Sequence, residues 1–372
     1  MPNTNWPAMR VVHLLGGGRL VNELGPRAVV HPKPLVGEQA SFETDTYAKL
    51  FHDAHWAGLE PVGVEFYSHQ MQATGEEPPE WKPYLRRFTS TWCCDDSAQK
   101  WAEIAHVAHQ RKLALEWDLS RRIRYQLRTL SWRLFEVSQA YHNQLVGKLA
   151  SGSFTDGGKF EDGFTAQMYL ALHSFLIDAC ILRDYLADFI AKFILPKESG
   201  DFGRFKDMGQ FRYKVLGPHK NEGGIASELW EATDENTNGW LAVLNAYRNI
   251  VVHSAPLEHA EARLFAQSYL APFNGDRRIP AIRCPIPGDP ISVKQARSSA
   301  ADHKSFDELQ QSYLMMARQE GYGVDGLEYV WSVAGRISAF SQQVSIRSHI
   351  EAQPITVTSK DTIGGFSYTT RN

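Results

Sequence analysis

The chain has 372 residues, 43% hydrophobic and 22% charged, with a formal net charge of −3. That is the composition of an ordinary soluble protein, with apolar material for one large domain or two modest ones. The small negative charge excludes an indiscriminate RNA coat protein, so any contact with RNA must come from local basic clusters.

Residues 1–95 read as a mixed, irregular region. Short strand-like runs at Met9–Leu15, Arg27–His31 and Pro61–Tyr67 are punctuated by glycine and proline. Phe42–Trp56 has the pattern of a helix. Gly16-Gly17-Gly18 is not a nucleotide loop, since it lacks the G-x-x-x-x-G-K-[ST] pattern and no strand–Gly-x-Gly-x-x-Gly–helix unit follows. The short apolar run at Val11–Leu15 is broken by His13, so no signal peptide is expected. Cys93, Cys94, Cys180 and Cys284 show neither zinc spacing nor a disulfide framework, which fits a reducing compartment.

A long helical pattern, broken once, occupies about Ser97–Leu149. Leu119, Ile123, Leu127, Leu130, Leu134, Val137, Tyr141 and Leu145 recur at three- and four-residue steps and form its core stripe. On the other face Trp117, Arg121, Arg124, Arg128 and Trp132 fall within a fan of roughly 80°. Arginines between indoles can follow a phosphate backbone while the rings stack on bases. A solvated outer face is the alternative reading of the same pattern.

After a glycine-rich loop, a second helix runs from about Phe164 to Leu195. Its stripe is Phe164, Met168, Leu172, Phe175, Ala179, Leu182, Leu186, Phe189 and Phe193. Asp178, Arg183, Asp184 and Asp188 interrupt the apolar stretch, which marks a bundle helix rather than a membrane span, and a cytoplasmic protein is expected. Residues 197–224 form a connector. Ile225–His253 is a third helical stretch, nicked at Asp234–Gly239, where Asn236, Asn238 and Gly239 are poor helix formers.

Residues 257–297 read as a proline-rich basic insertion carrying Arg277 and Arg278, either a substrate loop or an ordinary solvated one. Helical patterning returns from Ser298 to His349, with a break at Gly321–Gly326, and residues 350–372 form an extended tail. The organisation expected is thus 1–95, a helical domain over 96–349, and a tail. The fold expected is mainly α, an up-and-down helical bundle with a mixed α/β N-terminal region and the insertion before its last helix.

The chemistry concentrates in Leu244-Asn-Ala-Tyr-Arg248-Asn249-Ile-Val-Val-His253-Ser-Ala-Pro256. At about 100° per residue, Trp240, Val243, Leu244, Tyr247 and Val251 share one arc, and Asn249 and His253 share the other side. Pro256 stops the helix near His253 or Ser254. An imidazole can move the proton of a 2′-hydroxyl or of a leaving oxygen, and a guanidinium can hold phosphate oxygens as charge develops. The same residues also suit a plain helix C-terminus with a solvated His and a snorkelling Arg. Spacing alone does not decide: Arg212 with His219 and Arg297 with His303 are similarly spaced, but neither Arg is followed by an Asn.

This string resembles the signature of the HEPN superfamily, in which an Arg, a polar residue and a His close the third helix of a small bundle. The resemblance implies a catalytic set of Arg248, Asn249 and His253 in a metal-independent endoribonuclease. It also implies a composite site between two copies of a homodimer, with an antitoxin or antiviral-defence complex as partner. RNA is the expected substrate, with Arg121, Arg124, Arg128, Arg277 and Arg278 as candidate RNA contacts. No cofactor and no membrane partner are expected. The 14 histidines contain no H-E-x-x-H or comparable cluster, so no metal is expected either. The other function consistent with the pattern is a catalytically silent HEPN-like module that binds a protein partner or a nucleotide.

Overall fold

In a computed structural model, the structure describes residues 9–22, 26–35, 39–44, 47–68, 86–195, 208–221, 223–254, 265–299, 308 and 324–354. It is mostly helical, 61% helix against 17% strand, with small sheets.

The N-terminal region is more regular than its sequence suggests. Strands β1 (Met9–Leu14), β2 (Arg19–Asn22), β3 (Arg27–His31), β4 (Ser41–Glu43), β5 (Pro61–Ser68) and β6 (Arg86–Thr91) form one sheet in the order β4-β3-β2-β1-β5-β6. Every pairing in it is antiparallel. Helix α1 (Tyr47–Trp56) packs on one face, where Leu50 and Ala54 join Val12, Leu14, Leu20 and Val30 in an apolar cluster. Because strand side chains alternate, His13 between Val12 and Leu14 points the other way, into the helices.

Those helices are α2 (Asp95–Gln110), α3 (Ala114–Ala150), α4 (Gly163–Phe189), α7 (Trp240–Asn249) and α9 (Gly326–Ile346), which share the large core. The break between α2 and α3 falls at Arg111–Leu113, where Lys112 takes a left-handed φ of 59°. All eight stripe residues from Leu119 to Leu145 are buried. The α4 stripe is buried from Met168 to Phe189, with Phe164 at its exposed start and Phe193 half-buried at its end. Asp162 starts α4 by accepting from the backbone N–H of Phe164 and Thr165, while Thr165 Oγ1 accepts from Asp162 N at 3.1 Å.

Cross-contacts fix the directions. Gln126 and Arg133 of α3 meet Asp178 of α4, whereas Gly147 at the other end of α3 meets Phe164, so the two helices are antiparallel. Arg183 of α4 meets Asn245 of α7. By length and composition α4 could cross a membrane, but half of that apolar window is packed inside the protein.

Two expectations need correction. The stretch read as a proline-rich insertion is an antiparallel hairpin, β8 (Ala266–Phe273) and β9 (Arg277–Arg283), extended by β7 (Lys159–Phe160). It is followed by β10 (Pro285–Ile286), paired with β11 (Val324–Asp325), and by α8 (Pro290–Ser299). Phe273 and Ile279 of the hairpin lie in the apolar cluster of the N-terminal sheet, so this segment is part of the core rather than a loop over the site. The helix expected over Phe42–Trp56 is instead β4 followed by α1. The tail from residue 355 lies outside the described residues, as does most of the helical pattern expected before residue 324.

Gly16 and Gly17 have the job of a close junction. Both have positive φ, 78° and 86°, and a Cβ on Gly17 would lie 2.8 Å from the Tyr141 carbonyl oxygen of α3.

Candidate functional site

The Asp234–Gly239 nick is a turn between α6 (Gly224–Ala232) and α7, and α7 begins at Trp240 as its sequence implied. A side chain at Gly239 would collide with the carbonyls of Glu231 and Ala232, so glycine is what lets the chain turn so tightly there. Leu241, Leu244, Tyr247 and Ile250 are buried on the core side of α7, and Trp240, Val243 and Val251 are half-buried against it. The Tyr247 hydroxyl donates to the carbonyl of Pro287, and its ring packs on Tyr329 at a centroid distance of 4.6 Å. Ala242 and Ala246 pack on Ile291 of α8. The helix is thus held on two sides.

At its end Arg248 and Asn249 are half-buried, and Arg248 Nη1 donates to Asn249 Oδ1 at 3.1 Å. The helix then widens into a π-type turn over Ile250–Ser254, which carries the His253 backbone. Such turns are uncommon and recur at functional sites. They also close α4 at Ile190–Ile194 and follow the short α5 (Met208–Gln210) over Phe211–Leu216, so the turn does not by itself single out this helix. The His253 side chain and the expected stop at Pro256 lie outside the described part.

Arg183 reaches this helix from α4. Only 7% exposed, it binds Asp184 Oδ1 through Nε at 2.9 Å and Nη2 at 2.8 Å, and donates from Nη1 to Asn245 Oδ1 at 3.0 Å. Asn245 sits one turn before Arg248 and Asn249. A charged hydrogen bond in so dry a position resists rotation of α7 about its axis. Asp188, by contrast, pairs at 2.8 Å with Lys192 in the turn that closes α4, and takes no part. Cys180 lies beneath. Burial pushes its thiol up to about 11, Arg183 and Arg248 pull it down, and Asp184 adds to the rise.

The remaining candidates are elsewhere. Arg121, Arg124 and Arg128 are exposed on the outer face of α3, with Arg121 over the Trp117 ring at 4.7 Å. Arg277 and Arg278 are exposed at the start of β9, where the hairpin approaches α1 through the Asn274 N to Ala57 O bond of 2.8 Å. The structure therefore brings Arg248 and Asn249 together and leaves these arginines on two separate elements. Asn245 is the residue that sequence reading missed. Its place one turn before Arg248 on the same helix was the available signal.

A second polar cluster is formed by His13, Glu65, Ser138 and Arg19. His13 Nδ1 lies 3.0 Å from Ser138 Oγ and Nε2 lies 3.0 Å from Glu65 Oε2. Arg19 donates to Ser138 Oγ at 3.1 Å and to its carbonyl at 3.2 Å. Burial first, and Arg19 second, hold His13 down to about 3 against the opposing pull of Glu65. The connectivity is that of a Ser–His–acid triad, but His13 and Ser138 are fully buried and no substrate can reach the hydroxyl.

No protein-family model, no curated protein and no solved structure matches this chain.

Proposed function

We propose that this protein is a metal-independent endoribonuclease of the HEPN type, a cytoplasmic homodimer with an up-and-down helical bundle at its centre. The observation that carries the reading is the half-buried Arg248–Asn249 pair, bonded at 3.1 Å at the end of α7, one helical turn before His253. The mostly helical architecture and the Arg183–Asn245 brace support it.

In this mechanism His253 acts as general acid or base. The 2′-hydroxyl loses its proton and its oxygen attacks the adjacent phosphorus, and the 5′-oxygen leaves with a proton. Arg248 holds the phosphate oxygens as negative charge builds, and Asn249 steadies the guanidinium. The products are a 2′,3′-cyclic phosphate and a 5′-hydroxyl. One Arg and one His per chain make a sparse site, so two copies meet to complete it. Such an enzyme needs restraint in its cell, which an antitoxin or a defence complex would supply.

The test is the product of RNA cleavage in excess EDTA. A 2′,3′-cyclic phosphate, with a fully 2′-deoxy strand left intact, is the expected result. Equal cutting of the deoxy strand refutes the mechanism. No cleavage by the folded dimer favours the silent binding module.

A further inference from the structure

Helix α3 buries one side in the core and turns a different chemistry outward. Tyr125 is 72% exposed and Trp132 48% exposed, both on the arc that carries Arg121, Arg124 and Arg128. Open rings interleaved with cationic side chains can stack on a flat ligand while the cations meet its charge.

The charge on this face is not neutralised from within. Asp118 is taken by Arg122 at 2.8 Å, and Glu136 by Arg133 at 2.7 Å and by the Trp132 indole N–H at 2.9 Å. Arg124 and Arg128 make no ion pair among the described residues. Arg122 carries the stripe to the seam with α4, where its guanidinium stands 5.9 Å from the Tyr185 ring centroid, next to the Asp184 that holds Arg183.

We propose that this face of α3 binds a single-stranded nucleic acid, with phosphates on Arg124 and Arg128 and a base stacked on Tyr125. The two arginines stand one turn, roughly 6 Å, apart along the helix axis, which suits successive phosphates of an extended strand. Tyr125 offers a flat ring to an unpaired base, which a duplex, its bases already stacked, does not present. A second copy of the same face would meet it with like charge, and an acidic protein surface would satisfy the arginines but leave the ring without a partner. This surface goes beyond cleavage at Arg248 and holds whether or not the chain is a nuclease.

The experiment uses the full chain and a short, labelled, mixed-sequence 2′-deoxy strand, which the 2′-hydroxyl mechanism cannot cut. Binding is followed by fluorescence anisotropy between roughly 50 and 200 mM salt. The R124E/R128E double variant, folded as judged by circular dichroism, should bind about 100-fold more weakly and lose about 1.4 from the salt slope. Y125A should bind about 10-fold more weakly with the slope unchanged, and Y125F should bind normally. The same sequence as a duplex should bind more weakly and be indifferent to Y125A. Wild-type affinity and slope in R124E/R128E would overturn the proposal. So would failure of the wild type to bind, or transfer of the loss to R277E/R278E.

Discussion

The two polar clusters built from distant parts of this chain invite opposite readings. The junction of sheet and α3 holds a serine, a histidine and a carboxylate within hydrogen-bond reach of one another, with 3.0 Å on each side of the imidazole. It is nevertheless sealed, and Arg19 also occupies the serine hydroxyl. At the end of α7, by contrast, Arg248 and Asn249 are half-open where a helix finishes. Connectivity alone therefore does not make a site. The first cluster fastens the N-terminal sheet to the bundle, and the second leaves Arg248 and Asn249 half-buried at a helix end, as the proposed nuclease requires. Access decides between them.

Damage to the two clusters should therefore show in different measurements. His13→Ala should cost about 3–5 kcal/mol in denaturant unfolding, because it strips Glu65 and Ser138 of a buried bond and opens a void beside Trp92 and Phe135. Cleavage per folded molecule should stay at the wild-type level. A nuclease deficit out of proportion to the unfolded fraction would show the clusters to be coupled.

Arg183→Met, which keeps much of the side-chain volume but removes the bond to Asn245, should lower kcat by about 10- to 100-fold with little change in KM, since it lets Arg248 drift rather than removing it. Ser138→Ala should leave both constants alone. Equal effects of the two substitutions would erase the distinction.

Acid should act on the fastening first. The folded protein holds His13 neutral down to about 3, so the stability it contributes is complete above its ordinary value near 6.5 and is lost as pH falls toward 3. Within that window the slope from His13 alone is about 1.4 kcal/mol per pH unit. Burial lowers His142 and His173 to about 4 in the same sense. Asp325, raised to about 6 by burial, works the other way: its share is present below about 3.8 and lost as pH rises through 6. Denaturant unfolding at a series of pH values should give a positive slope between pH 4 and 6 that H13Q makes shallower. An H13Q slope equal to that of the wild type would mean that His13 is protonated in the folded protein.

How far the sequence foretold this arrangement depends on the range of the interactions. The nick before α7 and the stripes of α3 and α4 are local, written in helix periodicity and in poor helix formers, and they lie where expected. The break before α3 was expected without a position, since Arg111, Lys112 and Leu113 are all good helix formers. Strands β1, β3 and β5 were equally visible as apolar runs. Strand β2 was not, since Arg19-Leu-Val-Asn22 lacks strict alternation and Arg19 finds its partner in Ser138, 119 residues away. In the hairpin, Pro272 and Pro280 argued against strands. Yet Asn274-Gly275, with φ of 45° and 81°, is a turn signal that deserved more weight than the prolines. Asp289-Pro290 before α8 is a helix start of the usual kind, with Asp289 Oδ1 accepting from Ser292 N at 3.0 Å. At the site, Arg248 and Asn249 were legible because they are adjacent. The Arg183–Asn245 bond spans 62 residues and no local pattern encodes it.

The most direct test of the central claim is cleavage of a mixed, end-labelled RNA pool by purified protein in excess EDTA, comparing wild type with Arg248→Ala and His253→Ala. Wild-type cutting that survives EDTA and falls at least about 1,000-fold in both variants, with thermal midpoints preserved, is the predicted result. Variants that cut as fast as the wild type would contradict the account and move the active site away from the end of α7.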